Sequence, residues 1–181
     1  QLQDEIAACR KLLANNTQDS LSSWFVLLDS LCRRASEIDD IINALSHEHG
    51  ETSFQELRWW VGALQNQSSC WRRDADTLCA WGRLLPLLEA EKGNTGFDAN
   101  WEQIIKSLHT IPRLADIPRL CDSALVQLAG LQQIEVSVPS PELATRLTRA
   151  LEQSSSAAGD LLSRLSRAAR SCNQIVEDMD F

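Results

Sequence analysis

The side chains that could do chemistry are few and scattered. His47-Glu48-His49 is the one close histidine pair among three histidines. On a helix, residues two apart point in different directions, whereas zinc-binding helices use an i, i+4 spacing. The third histidine, His109, is far away in sequence, so the pair reads as a surface helix end. Glycoside chemistry needs two carboxylates facing each other across a sugar. The candidates Glu48, Glu51, Glu56, Glu89 and Glu91 sit among polar neighbours near expected helix ends, and convergence of any two is not something a sequence shows. Asp74-Ala75-Asp76 has the bare Asp-x-Asp form of a metal-nucleotide motif, but it falls in a helical period rather than after a strand. Nucleophile elbow, phosphate loop and dinucleotide fingerprint are all missing from the sequence. The six cysteines, Cys9, Cys32, Cys70, Cys79, Cys121 and Cys172, contain no CxxC pair. They read as small buried hydrophobes of a reducing compartment, with three disulfides open only to a secreted chain. These residues give no catalytic, cofactor-binding or metal-ligating set.

The tryptophans are the oddest feature: six of them, with four Phe and no Tyr. Trp24, Trp60, Trp71 and Trp101 fall on apolar stripes and are expected in the core. Trp59 and Trp81 fall off those stripes. An indole in such a place suits an interface anchor, ordinary partial burial or a platform for a sugar ring. Met179 and Phe181, the apolar finish of the chain, join them as candidate interface or sugar contacts.

The elements that must position these residues are helices. Residues 2–13 carry a first apolar period ending near Asn15-Asn16. Asp19 or Ser20 caps a second helix, whose stripe from Leu21 through Trp24, Phe25, Leu28, Leu31 and Ile38 to Leu45 advances by one, three or four residues, and Gly50 stops it. Thr52 or Ser53, with Glu56, starts a third helix. Its stripe crosses a polar stretch at 65–69 and meets Pro86, so its continuity over 53–92 is left open. Gly93-Asn94-Thr95-Gly96 reads as the clearest loop and as a candidate sub-boundary at 93–97. Asp98 then caps a short helix, a proline-bounded connector spans 111–120, and Pro118 opens the next helix. Val136-Ser137-Val138-Pro139 is the one β-like run. Ser140 and Pro141 start a last helix, whose apolar stripe runs from Leu143 to Met179.

The expectation is an all-α bundle of about six or seven antiparallel helices without a sheet, a single domain over 1–181. Its ends read as cut from a longer polypeptide. The net charge of −8, from 17 basic and 25 acidic residues, speaks against nucleic acid and anionic lipid as partners. No apolar run reaches the length of a membrane span.

One stretch carries a family resemblance. Ala168-Ala169-Arg170-Ser171-Cys172-Asn173-Gln174-Ile175-Val176-Glu177-Asp178-Met179-Asp180-Phe181 resembles the helix preceding the MDF-x-FLYD segment of bacterial cyclic β-1,2-glucan synthases. The match covers this tail alone, and the FLYD part would lie beyond Phe181. The resemblance implies a large multi-pass inner-membrane parent that transfers glucosyl units from UDP-glucose and cyclises the chain by transglycosylation. This segment would be a non-catalytic accessory helical subdomain at the cytoplasmic face. It would dock on neighbouring domains of the parent, with β-glucan as a further candidate partner and no insertion into the membrane. The alternative is an independent protein–protein interaction bundle unrelated to carbohydrate.

Overall fold

The computed structural model describes residues 2–14, 20–50, 54–95, 99–132 and 140–179. Among them are seven α-helices and two 3-10 turns, with no strand. The all-α architecture is thus as the apolar periods require. The chain divides into two compact units, Gln1–Ala75 and Asp76–Phe181. No helix of the described residues is long and apolar enough to cross a membrane.

The first unit contains α1 (Leu2–Ala14), α2 (Leu21–His49) and most of α3 (Gln55–Leu78). Ser20 caps α2: its backbone is extended, and its hydroxyl accepts from the Ser23 amide at 3.2 Å. Gly50 ends α2 at φ 94°, a backbone state that a Cβ would strain, while its N–H donates to the Ser46 carbonyl. Cys9, Ile38, Ile42 and Val61 meet in one core, with Leu2, Phe54 and Leu57 packed against it. Ion pairs join α1 to α2 (Glu5 and Arg34) and α2 to α3 (Asp29 and Arg72). The polar stretch 65–69 does not break α3, because Ser68 turns inward and donates its hydroxyl proton to the Gln65 carbonyl. The expected caps at Asp19, Thr52 and Ser53 lie outside the described residues.

The second unit contains α4 (Leu85–Thr95), α5 (Ala99–His109), α6 (Ile117–Gln132) and α7 (Pro141–Asp178), with 3-10 turns at Ala80–Arg83 and Leu114–Asp116. Its core is built from Trp81, Leu85, Leu88, Trp101, Ile104, Leu108, Leu147 and Leu151, all fully buried. Pro86 sits in the first turn of α4, where a missing N–H costs nothing. Helix α4 includes Gly93, Asn94 and Thr95, residues expected in a loop, and the rest of that expected loop, 96–97, lies outside the described residues. Asp98 and the run 136–139 lie outside the described residues. Pro118 stands in the first turn of α6, which continues past Gly130 to Gln132.

Candidate interaction surface

Helix α7 supplies the most distinctive surface. Its start is well determined: the Ser140 hydroxyl accepts from the Leu143 amide at 3.4 Å, and Pro141 occupies the first turn. The Ser140 amide donates to a carboxylate oxygen of Glu91 at 3.0 Å, tying the start of α7 to α4. The helix then buries Leu143, Ala144, Leu147, Ala150, Leu151, Ser154 and Ala158. Ser154 is a polar residue in this core because its hydroxyl accepts from the Ala80 amide at 3.0 Å.

Past Leu161 and Leu162, which are half-buried, every described residue from 163 to 179 is exposed. The apolar pattern does not stop there. Leu165, Ile175, Val176 and Met179 continue it with exposures of 51%, 60%, 62% and 53%. Ala168, Ala169 and Cys172 fill the steps between them. At about 100° per residue, this exposed set and the buried set of 143–158 share one arc of about 140°. One amphipathic helix is therefore covered by its own unit along its first half and bare along its second. Arg164 and Asp178 border one edge of the bare arc. Phe181, expected beside Met179, lies outside the described residues.

The tryptophans require correction. Trp81 is no platform for a sugar or partner: it is fully buried, and its indole N–H donates to the Leu108 carbonyl at 3.1 Å. It sits in the 3-10 turn between α3 and α4, where the helical phase resets, so extending one period through 71–88 misplaces it. Conversely, Trp60 and Trp71 are 59% and 44% exposed rather than buried. They lie on the shoulder of α3, while Val61 and Ser68 face inward. Trp59 is 65% exposed and meets Trp60 edge to face, with ring centroids 4.7 Å apart. Trp101 is buried as its stripe requires, and Trp24 is half-buried.

The remaining chemistry is sparse. His109 Nε2 lies 3.1 Å from Glu89 Oε1 at a depression of about 540 Å³, also lined by Glu102, Gln103 and Lys106. Among the described residues, its lining carries no hydroxyl or thiol. Glu91 is engaged by Ser140, and Asp76 of the Asp-x-Asp run pairs with Arg83 at 2.7 Å. His47, Glu48 and Glu56 are exposed, and Glu51 lies outside the described residues. No group of three or more His, Cys, Asp and Glu among the described residues could hold a metal ion. Cys9, Cys79 and Cys121 are buried and Cys172 is exposed. Burial, aided by the charge of neighbouring Cys121, pushes the Cys79 thiol up to about 12. Burial, aided by Asp122, does the same to Cys121.

An open groove of about 650 Å³ between α1 and α2 is lined by Leu12, Val26 and Leu27, with Lys11 and Arg34 among its polar lining. Comparison with protein-family models, with curated proteins and with solved structures returned no match.

Proposed function

We propose that this chain is a non-catalytic helical docking module, in which the bare half of α7 is the surface that another helix covers. One observation carries this reading: the apolar arc of α7 continues without change of direction from its buried half into residues that are all exposed. Burying a single Leu, Ile, Val or Met side chain is worth about 1.5–3 kcal/mol, so four of them in one arc favour association. The direct test is a variant with Leu165→Glu and Ile175→Glu. It should retain helicity and unfolding midpoint while losing the binding of a hydrophobic dye that the dilute wild-type chain shows. Equal dye binding by both proteins would refute the reading.

The tail 168–181 supports a second, finer reading, in which the parent is a cyclic β-1,2-glucan synthase and this module is an accessory to its cyclising machinery. It predicts Phe-Leu-Tyr-Asp shortly after Phe181 in the natural gene and no turnover of β-1,2-glucan by this segment. A stop codon at that place, or turnover by the isolated segment, would refute it.

A further inference from the structure

We propose that the bare half of α7 pairs antiparallel with the same segment of a second copy of this chain, about a two-fold axis near Arg170. The proposal rests on the docking reading above and names its occupant.

From residue 144 to 179 the positions of one arc of α7, buried in its first half and bare in its second, advance by alternating steps of three and four, a sustained seven-residue repeat. In an antiparallel pair of such helices, the two core positions of the repeat face each other. With the axis at residue 170, Leu161 meets Met179 of the second copy and Leu165 meets its Ile175. Ala168 meets Cys172 at the middle. One flank then sets Leu162 against Val176 and Ala169 against its own copy. Large side chains thus fill both ends, while small ones at the centre let the backbones approach. On the other flank, Arg164 faces Asp178 of the second copy, and the symmetry makes this pair twice.

Alternative arrangements lose this match. Sliding the second copy by one heptad moves Asp178 opposite Ser171 or opposite Ala157, and either slide breaks the Arg164–Asp178 pair. A parallel pair sets Arg164 beside Ala169 and brings Arg164, Arg167 and Arg170 of both copies to the same level. Charge complementarity across the helix pair thus selects both direction and register. The paired segment, 161–179, is about 28 Å long. Single helix pairs of this size make small interfaces, so the dimer is weak and concentration-dependent.

The test is sedimentation velocity on the whole chain over a concentration series. The wild type should pass from monomer to dimer. Arg164→Glu or Asp178→Arg alone should raise the dissociation constant about 5- to 20-fold. The double variant Arg164→Glu with Asp178→Arg should return it to within about twofold of wild type, because the swapped charges meet again. In parallel, Ala168→Cys should give a covalent dimer on mild oxidation through the native Cys172 of the second copy, and Cys172→Ser should abolish it. A chain that stays monomeric up to about 1 mM overturns the proposal. So does a dimer that the charge swap fails to restore, or association with anionic vesicles in place of a dimer. If the chain stays monomeric but the dye still distinguishes wild type from the Leu165→Glu, Ile175→Glu variant, the docking reading stands and only its occupant is wrong.

Discussion

Replacing Trp81 by Phe tests whether the core of the second unit is built as described. The indole is fully buried and its N–H donates to the carbonyl of Leu108. That carbonyl lies in the last turn of α5, where the helix itself supplies no donor. Phe keeps most of the ring but removes the donor, leaving a buried carbonyl unmatched at a cost of about 1–3 kcal/mol. The smaller ring also leaves a partly collapsed cavity, costing about another 1–2 kcal/mol. The two terms together give a loss of about 3 kcal/mol. Trp59→Phe is the control: Trp59 is largely exposed, and its substitution should stay within about 0.5 kcal/mol. Urea unfolding followed by far-UV circular dichroism reads both variants. If Trp81→Phe costs no more than Trp59→Phe, the description of this core is wrong.

Further predictions follow from the same geometry. A thiol reagent should label Cys172 at once in the native chain, whereas Cys79 and Cys121 should react only on unfolding. These two buried thiols hold protons in the folded state that the unfolded chain loses above its ordinary value of 9.0. Their contribution is therefore complete below pH 9 and is lost as pH rises toward about 12, so urea titrations across that range should show stability falling with pH. Cys79→Ala with Cys121→Ala should flatten that slope. Gly159 lies exposed inside α7, and an added Cβ there meets nothing within 4 Å. Gly159→Ala should thus raise stability by about 0.5–1 kcal/mol, measured by urea unfolding. Leu151→Ala should cost about 2–5 kcal/mol, whereas Leu165→Ala in dilute solution should cost under about 1 kcal/mol, because only the first is enclosed.

Helix number and most helix faces were legible because each depends on local periodicity. The stripe from Leu21 to Leu45 and the caps at Ser20 and Ser140 are of this kind. What the sequence could not show was how far a stripe is covered. Leu147 and Leu165 carry the same periodic signal, yet one is fully buried and the other half-exposed, because burial depends on which helices lie alongside. Trp81 was misread for a different reason: a 3-10 turn shifts the phase, and no glycine or proline announces it between Leu78 and Trp81. Trp60 and Trp71 were misread because α3 buries a narrower arc than its apolar content suggests. As for the bare half of α7, its seven-residue repeat was present in the sequence. Its meaning appeared only once the first half was seen to be filled.

Hydrogen exchange along α7 tests the central claim most directly. A helix segment without tertiary partners is marginal in water, so residues 163–178 should exchange rapidly in dilute solution while 143–158 remain protected. As concentration rises, protection should spread through 163–178 and leave 143–158 unchanged. Protection of 163–178 that equals that of 143–158 at every dilution would contradict the account, and protection that never rises with concentration would remove the second copy as the partner of this segment.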